Sequence, residues 1–119
     1  MSKQIELWIH QRAHIHKASG GKIHRKAQVN RIIRIMNEIA KHEKITHPEH
    51  LGKKHIHRYF YRHQDHSDSK IRDDYYALRI LWTTFQQRPG EAPKCRLVKD
   101  ALTRLTSKTK TALSDSIDS

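Results

Sequence analysis

Apolar residues along this chain recur at spacings of three and four, and no segment alternates with period two for long. The clearest stripe is Ile71, Tyr75, Leu78, Trp82 and Phe85, with spacings of 4, 3, 4 and 3, which predicts a helix over about 69–87. Ile5, Trp8, Ile9, Arg12 and Ile15 line one side of a first helix, capped by Ser2 and stopped by Ser19-Gly20-Gly21. A second helix runs from about Lys22 to Glu43, with Val29, Ile32, Ile33, Met36, Ile39 and Ala40 as its apolar face. Pro48 makes the segment from Ile45 to Glu49 a helix-breaking turn. A third helix follows over about Lys53–His63, burying Ile56, Tyr59, Phe60 and His63.

Beyond the stripe, Arg88-Pro89-Gly90-Glu91-Ala92-Pro93 reads as an exposed linker. Leu97, Val98, Ala101, Leu102 and Leu105 then suit a short amphipathic helix, and the Ser/Thr-rich end reads as a disordered tail. The predicted fold is all-α: a compact orthogonal bundle of four helices over 1–88, a linker at 89–95, a C-terminal helix over 96–106 and a tail over 107–119. At 119 residues there is room for one such domain and no more.

Charge changes the picture from fold to partner. The formal net charge is +12. It is concentrated in residues 1–63, with 14 Lys/Arg against 4 Asp/Glu, whereas residues 64–119 hold 10 against 8. All 11 histidines lie between His10 and His66, so mild acidification adds to the same half. Such an excess resists compaction and calls for a polyanion rather than a small substrate. Nucleic acid is the first partner to expect and an anionic membrane surface the second. No apolar run approaches the length of a membrane span, and MSKQIELWIHQR lacks a signal-peptide core. The expectation is a soluble, cytoplasmic, nucleoid-associated protein. Cys95 is the only cysteine, which excludes an intrachain disulfide and a zinc site built on cysteines.

The stretch HIHRYFYRHQDHSDSK, residues 55–70, has the letters of an active site and of a metal site. His55, Arg58 and Tyr59 are the residue types of a tyrosine nucleophile with cationic helpers. Yet Tyr59 follows Arg58 and points about 100° away from it on a helix, toward the apolar side with Ile56. Phosphoryl transfer needs its cations converging on one phosphate. The pairs His10/His14, His47/His50 and His63/His66 do not supply four ligands at zinc spacing. Neither a Gly-rich phosphate loop nor a nucleophile-base arrangement is visible. The sequence predicts no enzyme, no cofactor and no metal site.

The basic faces carry more. Arg25, Lys26, Arg31 and Arg34 lie on the polar side of the second helix, and Lys53, Lys54, His57, Arg58 and Arg62 on the outer part of the third. Ser69, Lys70 and Arg72 open the fourth, where a helix N-terminus adds to phosphate attraction. These twelve residues are the candidate DNA contacts. The lysines and arginines would mostly neutralise phosphates, and Arg58, Arg62 or Arg72 would reach base edges where their helices enter the major groove. Trp8, Tyr59, Phe60, Tyr75, Trp82 and Phe85 follow helical spacing and read as core, whereas Tyr61 and Tyr76 fall off the stripes and read as surface. The pair Asp73-Asp74 fits the favourable end of a helix dipole.

The segments HLGKKHIHRYFYRH and SDSKIRDDYYALRILW carry a resemblance. The run from about Lys22 to Phe85 resembles the N-terminal core-binding, SAM-like domain of phage and mobile-element integrases, the tyrosine recombinases. RPGEAPK resembles the linker that leads to their catalytic domain. The resemblance implies a helical bundle that clamps one side of a DNA duplex, with Lys53, Arg58, Arg62, Ser69, Lys70 and Asp73 at positions that face DNA. Lys70 stands where that family often has Thr. Only 25 residues follow Lys94, too few for the catalytic domain, so the expectation is a non-catalytic module that binds double-stranded DNA. Two alternatives fit the composition: a small basic RNA-binding protein, and a protein-interaction module that docks through the helix at 96–106. The oligomeric state is not encoded in any feature of the sequence.

Overall fold

A computed structural model of the chain describes residues 3–15 and 22–118. Five α-helices follow in order: α1 (Lys3–Ile15), α2 (Lys22–Glu43), α3 (Lys53–Arg62), α4 (Asp68–Arg79) and α5 (Arg96–Asp118). No strand occurs among the described residues, as the spacing of apolar positions predicts for an all-α bundle. No described helix is long and apolar enough to cross a membrane. The predicted Ser2 cap and the stop at Ser19-Gly20-Gly21 lie outside the described residues.

The helix ends have local causes. Lys44 turns α2 off with a left-handed backbone, φ 56°. His47 Nδ1 then accepts from the Glu49 amide at 3.1 Å, and Pro48 opens a short 3-10 turn, Pro48–His50. Gly52 begins α3, with His55 Nδ1 reaching back to accept from the Gly52 amide at 2.8 Å. Ser67 caps α4 through an Oγ that accepts from the Lys70 amide at 3.2 Å.

The core is centred on α2 and α4. Ile32, Ile35, Met36 and Ile39 of α2 are fully buried, packed among α1 residues Ile5 and Ile9 and the stripe of α4. Ile35 falls outside the predicted apolar face. It is buried because α2 is covered on two sides, by α1 and by α4, so its apolar arc is wider than one neighbour requires. Ile15, read as part of the buried side of α1, is exposed at the end of that helix.

The stripe of α4 continues through a π-helical turn, Ile80–Phe85, in which the Gln86 amide donates to Leu81 O at 3.1 Å. The extra residue in this turn shifts the register. Leu81 is buried and Trp82, read as core, is half-exposed under the Arg88 guanidinium, 3.9 Å above its ring. The predicted helix over 69–87 is therefore an α-helix with a π end.

The segment after Pro89 is more structural than its composition implies. Ala92 and Cys95 are buried, and the Tyr75 hydroxyl donates to Ala92 O at 3.3 Å. Val98 and Ala101 of α5 are fully buried against the same core. Small side chains at 92, 95 and 101 let this segment pack into the common core. The exposed linker of the sequence reading is thus exposed only at its start, through Glu91. Helix α5 runs to Asp118, past the predicted 96–106, with no Gly or Pro after Pro93 to end it. A bidentate pair, Arg104 to Asp68 at 2.8 and 2.9 Å, ties α5 to the start of α4.

Candidate nucleic-acid interface

The twelve residues singled out from sequence separate into three groups. The first is held by carboxylates of the fold. Arg34 Nη2 lies 3.1 Å from Asp74 Oδ1, Arg58 and Arg62 reach the two oxygens of Glu43 at 2.7 and 3.3 Å, and Arg72 pairs with its neighbour Asp73 at 3.2 Å. Arg34, Arg58 and Arg62 knit helices together as much as they face outward, whereas the Arg72 pair stays within α4.

Asp74 is the buried centre of the first of these contacts, 1% exposed. It accepts from Arg34 and, through Oδ2, from the Tyr59 hydroxyl at 2.9 Å. Burial and the Asp74 charge push the Tyr59 phenol well above the ordinary tyrosine range. Burial alone would lower the Arg34 guanidinium, but Tyr59 and Asp74 together raise it. Asp74 therefore links α2, α3 and α4, a role the helix-dipole reading of Asp73-Asp74 misses. The apparent catalytic letters are dispersed by the same packing. His55 caps α3, Arg58 turns to Glu43, and Tyr59 points inward to Asp74.

The second group meets no carboxylate among the described residues: Arg25, Lys26, Arg31, Lys53, Lys54 and Lys70. Arg31 donates to the neighbouring Gln28 at 3.2 Å. Lys26, Lys53, Lys54 and Lys70 are exposed, and Ser69 beside Lys70 is exposed as well.

His57 stands apart. It does not point into solvent as helical geometry alone implies. Its Nε2 is buried without a hydrogen-bond partner, on the side of α3 that α5 covers. Burial, then the charges of Lys53 and Lys99, lower its pKa below the ordinary histidine value. Lys99 is the residue that the sequence reading missed. Packing of α5 on α3 brings it into the field of Lys53 and His57, and Arg96 lines a cleft with Tyr61 on the same seam. Periodicity placed Lys99 and Arg96 off the apolar face of α5. It carried no signal for which helix that polar side would meet.

Tyr61 and Tyr76 are 50% and 37% exposed, in keeping with their off-stripe positions. His63 and His66 stack with ring centroids 4.6 Å apart, and His63 Nε2 lies 2.7 Å from Glu38 Oε1. No three His, Cys, Asp or Glu side chains converge as metal ligands among the described residues. Cys95 is buried.

The assembled arrangement is a seam between α3 and α5, with Lys53 and Lys99 around His57, and with Arg96 and exposed Tyr61 at a cleft that Asp68 and Asp100 also line. It can hold consecutive phosphates and offers one aromatic face. Comparison of the chain with protein-family models, with curated proteins and with solved structures finds no match.

Proposed function

We propose that this protein is a non-catalytic DNA-binding module that grips duplex DNA along the α3–α5 seam. The observation that carries the reading is the set of cations the fold leaves without carboxylates. Lys53, Lys54, Lys70 and Lys99 stay exposed and unpaired among the described residues, while Arg34, Arg58, Arg62, Arg72 and Arg104 are paired. Holding Lys53 and Lys99 near one partly buried histidine has an electrostatic cost, which phosphate binding would offset. The resemblance of residues 22–85 to integrase core-binding domains favours duplex DNA over RNA and an accessory role in recombination.

Electrophoretic mobility shift on duplex DNA across a salt series tests this. Binding should weaken steeply with salt, and Lys53→Gln combined with Lys99→Gln should reduce the slope of log K against log salt by about 0.9 per lysine. No shift at low salt, or an unchanged slope in the double variant, sinks the proposal. A matched RNA duplex that competes better than DNA moves the reading to RNA.

A further inference from the structure

We propose a second anion site, a phosphate-binding cleft between the π-helical turn and the Gly90–Lys94 segment, on residues that the DNA-binding reading does not use. The cleft has a volume of about 340 Å³, within the range of small-ligand sites. Arg79 and Lys94 stand at it, and Thr83 and Thr84 bring two hydroxyls to one wall.

The backbone is shaped for this wall. A π turn is wider than an α turn, so successive side chains diverge by a smaller angle, and the adjacent Thr83 and Thr84 both reach the cleft while both remain exposed. Across from them, Gly90 takes φ 79°, with open space where a side chain would begin. Gln87 also has a left-handed backbone, φ 52°. The π turn and Gly90, two departures from ordinary backbone, border this one cleft, and such departures gather where a ligand is held.

The two cations are pre-positioned but not neutralised. The Arg79 guanidinium lies 4.7 Å from the centroid of the Tyr76 ring, and Lys94 Nζ lies 5.8 Å from that of Tyr75. Both are oriented by aromatic faces rather than by carboxylates. Glu91 lines the cleft too, yet no carboxylate among the described residues comes within 4.0 Å of either cation. Two cations against one carboxylate leave the cleft net positive, and the hydroxyls supply neutral donors. This donor set suits a tetrahedral oxyanion: a fork from Arg79, a point charge from Lys94 and two O–H groups. A phosphate monoester and a phosphodiester share that chemistry.

The test is a titration of the full chain with inorganic phosphate at low ionic strength, followed by backbone amide NMR. Saturable shifts confined to Thr83, Thr84, Gly90 and Lys94 are expected. Arg79→Gln and Lys94→Gln should each weaken binding roughly tenfold, the loss of one charge-assisted contact. Thr84→Ala, at an exposed position, carries the test if a charge variant misfolds, with a smaller loss in the same direction. Lys53→Gln with Lys99→Gln should leave these shifts unchanged, so this site and the duplex-binding seam fail separately. A single-stranded oligonucleotide with and without a 5′-phosphate separates the two sources. Shifts only with the 5′-phosphate support a monoester site, and shifts with both support a diester site. An absence of saturation, or shifts that instead spread over Lys53, Lys54 and Lys70, overturns the proposal.

Discussion

At the scale of single residues, His57, Asp74 and Glu43 make the sharpest predictions. Burial, then the charges of Lys53 and Lys99, lower the His57 pKa, and burial, with Lys54 and Arg58, lowers that of His55 as well. A base whose folded pKa lies below its unfolded value binds fewer protons folded than unfolded. Stability is therefore lost as pH falls from about 6.5 toward the lower folded values. Thermal melts at pH 7.5 and 5.5 should show a lower Tm in acid, and His57→Gln should flatten that dependence. A phosphate at Lys53 and Lys99 would raise the His57 pKa again, so duplex binding should take up protons in mildly acidic solution. Asp74→Ala removes the acceptor of a buried hydroxyl and of a half-exposed guanidinium, with a predicted loss of about 3 kcal/mol in denaturant unfolding. Tyr59→Phe leaves Asp74 its arginine and should cost about 1 kcal/mol. Glu43 sits below the ordinary carboxylate range because Arg58 and Arg62 outweigh the effect of burial. Glu43→Gln weakens two contacts of a carboxylate that is only 10% exposed, so it should cost about 1 kcal/mol of stability and, by releasing the more exposed Arg58, tighten duplex binding. Looser binding in that variant would place Arg58 and Arg62 away from DNA.

At the scale of elements, the π turn at the end of α4 decides which side chains reach the core. Leu81→Ala, at a fully buried position, should cost about 2–5 kcal/mol. The larger Trp82, half-exposed beneath Arg88, should lose less when truncated to alanine. Equilibrium unfolding of the two variants checks that order, which is the reverse of what a continuous α-helical stripe predicts. The spacing of Ile71, Tyr75, Leu78 and Phe85 made this helix legible from sequence. The π turn was not, because inserting one residue into a helix leaves no mark in the spacing of a short apolar run. The same holds for α2, whose predicted face omits Ile35. A sequence pattern reports that a face is apolar, but the number of neighbours sets its width.

At the scale of the whole molecule, α5 is a component of the core rather than an appendage. Val98 and Ala101 are fully buried, Ala92 and Cys95 close the gap under Tyr75, and Arg104 clamps Asp68. Its packing brings Lys99, like Lys53, into the field of His57, and so completes the proposed seam from two segments 46 positions apart. Deleting residues 89–119 should therefore unfold or strongly destabilise the bundle, rather than only remove a docking element. Far-ultraviolet circular dichroism of the truncated chain checks this. A truncated chain that keeps its helices and a cooperative melt would return α5 to the role of an appendage.

By itself the sequence determined the all-α class, the helix positions through α4, the turn at Pro48 and the basic character of the first half. Each of these follows from local rules: apolar period, the restrictions of proline, and counts of charge. Only the tertiary structure decided which cations remain free and which are absorbed into ion pairs. It alone also turned His57 toward α5, buried Asp74 between three helices and joined Lys99 to the α3 surface. The reason is physical. Pairing of charges and burial of polar atoms depend on distances between segments far apart in the chain, and residue spacing within one helix does not encode them. HIHRYFYRHQDHSDSK shows the difference: its letters suggest one site, while packing divides them among a cap, an ion pair, a buried network and the start of α4.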